Sequence, residues 1–250
     1  MAGNAEAAGS LIFGPLTVSD AGERVAALAA LNREVIVCRA CPRLVEWREA
    51  MANSKRAAFA HDVYWGRPLP GFGDPDARLL IVGLAPAAHG GNRTGRIFTG
   101  DRSGDWLFGS LHRTGWANQS HSVHKDDGLR LDGAYICAAV RCAPPANKPT
   151  PQERDNCHGY LVRELGILDR VQVIVALGSF AWSCGLRAAG DLGAAVPRPR
   201  PSFGHLAEAG LGRYTLLGSY HPSQQNTFTG KLTESMLDDV FIRARAVVDA

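Results

Sequence analysis

The sequence predicts an α/β fold of three layers, α/β/α, with a central four-stranded, mostly parallel sheet. Four apolar runs indicate the strands: Leu79–Gly83, Tyr135–Val140, Val171–Leu177 and Tyr214–Ser219. Each run is continuous rather than alternating, which is typical of strands covered on both faces. Stretches with helical spacing of apolar residues separate the runs, and strands that alternate with helices form parallel sheets.

The chain before the first strand is predicted to be mostly helical. Apolar residues recur three or four positions apart from Val25 to Val35, as on one face of a helix. The segment CRACP, residues 38–42, interrupts this pattern, and a second helix is expected to carry Leu44, Trp47 and Met51. We expect residues 1–20 to form a flexible tail and residues 21–250 to form a single domain.

Four further helices are predicted between and after the strands, at Asp105–Thr114, Pro151–Leu165, Phe180–Ala188 and Thr233–Val248. Thr150 and Pro151 are a strong helix start, since a hydroxyl caps the first amides and proline needs none. The segment Ala195–Ser202, with alternating Pro and Arg, is expected to be an exposed loop.

Composition restricts the class of protein without assigning a function. A chain of 250 residues, 46% hydrophobic, has enough apolar material for the core of a good-sized domain. Its net charge of +3 permits nucleic-acid binding but does not indicate it. The first ten residues lack the pattern of a secretion signal, and no apolar run could span a membrane. We expect a cytoplasmic protein whose cysteines are thiols or metal ligands.

The loops that follow the four strands predict one active cleft. They read GLAPAAHGGNRTGRIFTGD, RCAPPANKP, GSFAW and HPSQQN, and three of them hold nearly all the unusual polar residues. In open parallel sheets, sites form outside the carboxyl ends of the strands. The first loop carries Asp101 and several arginines that could bind phosphates. It contains neither GxxxxGK[ST] nor GxGxxG, so we expect no nucleotide cofactor.

On the residues alone, His221 and Asn147 have structural interpretations as good as functional ones. The cysteines are also ambiguous. Cys38 and Cys41 form a CxxC motif, and with Cys142 and Cys157 they could hold zinc or an iron–sulfur cluster. The other two cysteines, at positions 137 and 184, are expected in the core.

Together, the three loop motifs and the cysteine pattern resemble the family 5 (type b) uracil-DNA glycosylases of the uracil-DNA glycosylase superfamily. The resemblance extends from CRACP to the last predicted helix. It implies a four-stranded parallel sheet between helices, a DNA substrate and a [4Fe–4S] cluster. The cluster ligands that it implies are Cys38, Cys41, Cys142 and Cys157.

The resemblance also implies roles for residues in the loops. Asp101, Asn147 and His221 match the family's proposed functional residues, and Phe98 matches its stacking aromatic. We expect Gly83, Ala85, Pro86, Ser223 and Asn226 to contribute to substrate binding. Related families carry polar groups where this chain has Ala85 and Ala138, so we expect a broad range of damaged bases, including uracil, hydroxymethyluracil, ethenocytosine and hypoxanthine.

No lysine stands out as a Schiff-base nucleophile, so the expected enzyme is monofunctional. We separately expect it to act as a monomer. Two other functions remain open. One is a non-catalytic iron–sulfur protein that binds nucleic acid, and the other is a hydrolase of free nucleosides.

Overall fold

A computed structural model describes residues 20–250, so the expected tail, except for Asp20, lies outside the described residues. The centre of the described fold is a six-stranded sheet in the order β1-β3-β2-β4-β6-β5. Its strands are β1 (Phe72–Gly73), β2 (Leu79–Gly83), β3 (Ala134–Ala138), β4 (Val173–Leu177), β5 (Glu208–Leu211) and β6 (Tyr214–Ser219). The inner four strands are parallel and are the four that the sequence predicts.

The predicted count of four strands is too low by the two edge strands, β1 and β5. Both pair antiparallel with their neighbours. β1 is only two residues long, and β5 alternates exposed and buried residues and contains a glycine. Neither segment has the continuous apolar run by which the inner strands were recognised.

Eight α-helices accompany the described strands. They are α1 (Ala21–Ile36), α2 (Pro42–Ser54), α3 (Gly91–Thr94), α4 (Arg102–Arg113), α5 (Pro151–Ile167), α6 (Ser179–Asp191), α7 (Gln224–Phe228) and α8 (Glu234–Val248). Six of them agree broadly with the prediction, whereas the short helices α3 and α7 were not predicted. The chain leaves α1 just before Cys38 and enters α2 just after Cys41, as predicted. The predicted cap of α5 is confirmed, because Thr150 accepts from the amide of Glu153, whose carboxylate accepts from the amide of Thr150.

Alternate residues of each inner strand face two separate cores. In β2, Leu80 and Val82 face α1, α5 and α6, while Leu79 and Ile81 face α4 and α8. This arrangement confirms the three layers. It also explains the continuous apolar runs, because both faces of the sheet are covered.

The parallel strands all end at the same edge of the sheet, which we call the carboxyl edge. The loops after β2, β3 and β6 leave from this edge, and these are the three loops with unusual polar residues. The predicted exposed loop at residues 195–202 lies outside the helices and strands and is largely exposed. No helix within residues 20–250 has the length and apolar character needed to cross a membrane.

Candidate active site

A cleft of about 930 Å³ opens at the carboxyl edge of the sheet. The loops after β2, β3 and β6 all contribute to it, so segments far apart in the sequence meet at one site. Six residues that the sequence predicts to be functional line this cleft: Ala85, Phe98, Asp101, Asn147, His221 and Ser223.

Asp101 is the N-cap of α4. Its Oδ1 accepts a hydrogen bond of 3.0 Å from the amide of Gly104. Its Oδ2 lies against Gly90, where a β-carbon would stand only 2.0 Å away, so residue 90 must be glycine for the carboxylate to occupy this place. Burial raises the pKa of Asp101, and the backbone amides at the helix start oppose this rise. The predicted start of this helix at Asp105 is three residues late, because Asp101 itself caps it.

Phe98 places its ring over the end of β2. A β-carbon on Gly83 would lie 2.9 Å from this ring, so the glycine provides the space that the ring occupies. The backbone of Phe98 has a φ of 51°, in the left-handed region that non-glycine residues rarely adopt. Such strain persists where surrounding structure enforces it, and it is concentrated at functional sites.

His221 follows β6 and lies beside Phe98. The two ring centroids are 5.8 Å apart, and the ring planes are inclined by 35°. Burial lowers the pKa of His221 to about 4, so the imidazole is neutral near pH 7. The side chain of Asn226 donates to the backbone carbonyl of His221 over 2.9 Å and holds the turn. The imidazole nitrogens have no hydrogen-bond partner in the part of the chain that the structure describes.

Asn147 lies at the end of a short 3-10 turn, Pro145–Asn147, in the loop after β3. Both Ala146 and Asn147 adopt left-handed backbone angles, with φ of 52° and 55°. Asparagine tolerates this conformation, whereas it costs alanine roughly 1–2 kcal/mol. The flanking prolines and this conformation restrict the backbone that carries Asn147, whose exposed side chain lines the cleft.

Three residues predicted to bind substrate do not belong to the described lining of the cleft: Gly83, Pro86 and Asn226. Gly83 makes room for Phe98, and Asn226 holds His221 through its backbone. Pro86 packs near Gly91. These residues shape the site from behind its surface.

The expectation that the arginines of the first loop bind phosphates is wrong for two of the three. Arg93 forms an ion pair with Asp62 at 2.7 Å, and the buried Arg96 pairs with Asp127 at 2.7 Å. Arg102 is exposed and lines the cleft, where its guanidinium lies 4.6 Å from the centre of the Phe228 ring. Arg93 and Arg96 therefore stabilise the loop, and Arg102 remains available to a ligand.

Among the other lining residues are four with aromatic or basic side chains for which the sequence suggested no role in the site: Trp47, Arg56, Phe59 and His89. Three of them come from α2 and the segment after it, where no motif marks them. His89 lies inside the first motif, and its Nδ1 is 3.0 Å from the hydroxyl of Tyr64. Of these four residues, only His89 could have been identified from the sequence, because it is a histidine within a motif at the carboxyl end of a strand.

The four cysteines of the predicted metal site lie together behind the cleft. Cys41, Cys142 and Cys157 are buried in one cluster, and Cys38 lies close enough to interact with Cys142 and Cys157. Arg48 donates to the sulfur of Cys142 over 2.9 Å, and Asn156 donates to that of Cys41 over 3.3 Å.

No disulfide bond joins any two of the six cysteines, all of which lie within the described residues. Within residues 20–250, no group of three or more His, Cys, Asp or Glu side chains is arranged to hold a single metal ion. Cys137 and Cys184 lie in the core, as predicted, with 0% and 3% of their surface exposed.

Comparison with known proteins gives one consistent family. The model of the uracil DNA glycosylase superfamily matches residues 70–245. A type-5 uracil-DNA glycosylase of Mycobacterium tuberculosis is 57% identical over 219 residues, which are 87% of this chain and 81% of that protein. The Thermus thermophilus protein of the same name is 50% identical over 86% of this chain and 98% of its own length. A type-4 uracil-DNA glycosylase of Thermotoga maritima is 36% identical over 45% of this chain and 51% of its own length.

Proposed function

Because this chain belongs to the type-5 branch of the uracil DNA glycosylase superfamily, we propose that it removes uracil from DNA by hydrolysing the N-glycosidic bond. One observation carries the proposal: Phe98, Asp101, Asn147 and His221, from three separate loops, line a single cleft. A base inside a duplex cannot reach such a cleft, so the nucleotide must be extruded at a cost of a few kcal/mol.

Phe98 supplies the stacking surface for the extruded base. Its ring lines the cleft and occupies the space left by the missing side chain of Gly83 beneath it. Stacking of one base on an aromatic side chain contributes about 1–3 kcal/mol and tolerates different bases. This contribution offsets part of the cost of unstacking.

His221 acts as a neutral hydrogen-bond donor to the base. Its lowered pKa, about 4, disfavours the alternative in which it holds positive charge. As the C1′–N bond breaks, negative charge develops on the carbonyl oxygens of the leaving base. A fixed donor aimed at that charge stabilises the transition state more than the ground state. The absence of a competing partner for the imidazole within the described residues leaves it free for this role.

Asp101 orients the attacking water and stabilises the cationic sugar as its carboxylate. The hydrogen bond from Gly104 fixes the group at the start of α4. Asn147 assists from the loop after β3, either by contacting the base or by positioning the same water.

We propose a broad range of damaged bases: uracil, hydroxymethyluracil, ethenocytosine and hypoxanthine. Ala85 lines the cleft where related families carry a polar group, and the buried Ala138 stands where another does. Rejection of a wrong base depends on leaving a buried polar group unpaired, so fewer such groups mean weaker discrimination.

The proposed product is an abasic site without strand cleavage. No lysine is among the described residues that line the cleft, so no Schiff-base nucleophile stands next to the sugar. We further propose that the enzyme acts as a monomer in the cytoplasm without a nucleotide cofactor. The first motif lacks both common phosphate-binding glycine patterns.

We propose that Cys38, Cys41, Cys142 and Cys157 hold a [4Fe–4S] cluster. Their grouping supports this, as do the N–H donors of Arg48 and Asn156, since hydrogen bonds to sulfur stabilise cluster-bound thiolates. A cluster of four irons is wider than one ion, so its ligands need not meet the geometry of a single-metal site. The bound cluster would supply a structural link between α2, the loop after β3, and α5.

Base release from a uracil-containing duplex oligonucleotide tests the proposed function. We expect free uracil and a strand that breaks only after alkali treatment. Binding without uracil release would instead favour a non-catalytic iron–sulfur protein that binds nucleic acid. Faster release from free deoxyuridine than from DNA would favour a nucleoside hydrolase. A strand cut without alkali would contradict monofunctional chemistry.

A further inference from the structure

One wall of the cleft carries polar side chains that the proposed chemistry does not use. Arg56 lies shortly after α2, and His89 lies in the loop after β2. Both line the cleft that contains Asp101 and His221. Neither belongs to the residues singled out in the sequence, so their presence at this site needs a separate explanation.

His89 presents a hydrogen-bond donor of fixed direction. Burial lowers the pKa of His89, and the nearby charges of Arg56 and Arg93 lower it further, so its imidazole is neutral near pH 7. A neutral imidazole carries one N–H. We assign the Tyr64 hydroxyl, 3.0 Å away, as the donor to Nδ1, which leaves the proton on Nε2.

The backbone of His89 is also fixed. Arg93 donates from Nε to the His89 carbonyl over 2.8 Å, and its Nη1 bonds Asp62 over 2.7 Å. The charge of Arg93 is therefore already matched by a carboxylate. Tyr64 and Arg93 together hold both the side chain and the main chain of His89 in place.

Arg56 contributes positive charge that is not neutralised. Its side chain is exposed, and it makes no ion pair or hydrogen bond with the residues that the structure describes. Yet its charge lies close enough to His89 to affect the imidazole. An oriented neutral donor beside an unpaired guanidinium is a pair suited to an anion with several oxygen acceptors.

We propose that His89 and Arg56 bind a backbone phosphate next to the extruded nucleotide. This inference rests on the proposed function, because extrusion brings the phosphates on either side of the nucleotide to the rim of the cleft. Contacts to phosphates position a protein on DNA without reading sequence. The pair therefore sets the depth at which the sugar enters the cleft, and with it the place of C1′ relative to Asp101.

The test uses duplexes in which a single methylphosphonate linkage removes the charge of one phosphate near the deoxyuridine. Single-turnover uracil release is measured for wild type and for His89→Ala at each position of the linkage. One position should lower the single-turnover rate constant of wild type, measured at subsaturating enzyme, about tenfold, the size expected for losing one hydrogen bond to a charged group. On unmodified DNA, His89→Ala should lower the rate of uracil release by a similar factor. In this variant, the methylphosphonate at that position should reduce the rate little further.

Three further variants separate a phosphate contact from a general packing effect. His89→Gln keeps an N–H donor and should recover most of the lost activity, while Tyr64→Phe should give an intermediate loss. Arg56→Gln should reduce the slope of log Kd against log salt by about one, since each phosphate contact contributes about 0.9. His89→Ala should leave that slope unchanged, because the imidazole is neutral.

Equal methylphosphonate penalties in wild type and His89→Ala at every position would overturn the inference. The same titrations read by fluorescence anisotropy give Kd without needing catalysis. If wild type releases no uracil, but one methylphosphonate raises its Kd and does not raise that of His89→Ala, the proposed function is wrong and the phosphate site stands. A wild type that releases uracil without coupling in either readout would keep the function and remove the site.

Discussion

The carboxylate of Asp101 lies directly against Gly90, where a β-carbon would stand 2.0 Å from Oδ2. Gly90 and Asp101 both lie in the segment between β2 and α4, which also contains Phe98. One glycine in the first motif is therefore explained by the space that a carboxylate needs. The position of the Asp101 side chain therefore depends on residue 90 being glycine, although Gly90 makes no hydrogen bond to Asp101.

Replacing Gly90 by alanine should displace the Asp101 carboxylate and lower uracil release by about tenfold to a hundredfold, since small misplacements of reacting groups have such effects. Gly159→Ala is the matched control. No atom lies within 4 Å of its added β-carbon in α5, and it should raise the free energy of unfolding by about 0.5–1 kcal/mol. Wild-type rates in both variants would rule out this account of Gly90.

Asp101→Asn should make the folded protein more stable at neutral pH. The folded-state pKa of Asp101 is raised above its ordinary value, so the folded protein binds the proton more tightly than the unfolded chain. The free energy of unfolding therefore falls as pH rises from the unfolded-state pKa through the folded-state pKa of Asp101. Removal of the charge in the asparagine variant recovers this loss. The asparagine oxygen can still accept from Gly104 and cap α4. Thermal unfolding at pH 7 checks this, and a Tm below that of wild type would contradict it.

His221 should make the protein less stable in acid. Its pKa is about 4 when folded and about 6.5 when unfolded, so between these values the unfolded chain binds the extra proton. Stability is then lost as pH falls from about 6.5 to about 4, by up to about 3 kcal/mol. His221→Gln should remove this part of the pH dependence. If the free energy of unfolding depends on pH in the same way in wild type and variant across this range, the imidazole is not buried as described.

Replacing Cys41 and replacing Cys184 should have different effects on the proposed cluster. Cys41→Ala should lower the folded yield and remove the brown colour, iron and acid-labile sulfide, because it deletes a proposed cluster ligand. Cys184→Ala, a core position in α6, should keep all three and reduce only stability. Iron and sulfide analysis of both purified proteins decides this. A brown, fully stable Cys41→Ala protein would exclude Cys41 as a ligand.

The inner sheet could be predicted because each parallel strand is covered on both faces and is therefore a continuous apolar run. The edge strands could not, since β1 has two residues and β5 carries a glycine and exposed positions. The sequence pattern predicts the start of α4 only at Asp105, because Ser103 and Gly104 interrupt the helical pattern, although Asp101 is a favourable N-cap residue.

The meeting of the three loops also followed from the sequence, because parallel strands bring their carboxyl ends to one edge. The partners of individual side chains did not follow. Arg93 and Arg96 looked available to phosphates, yet Asp62 and Asp127, more than 30 positions away in the chain, neutralise them. Arg56 and Trp47 reach the cleft from a segment without any motif, and only the packing of α2 brings them there.

The most direct test of the central claim is single-turnover uracil release by wild type, Asp101→Asn and His221→Ala on the same duplex. The account predicts rapid release by wild type. Each folded variant should be slower by roughly a hundredfold or more, as expected for losing an oriented carboxylate or a transition-state donor. Full activity in both variants would show that this cleft does not perform the reaction.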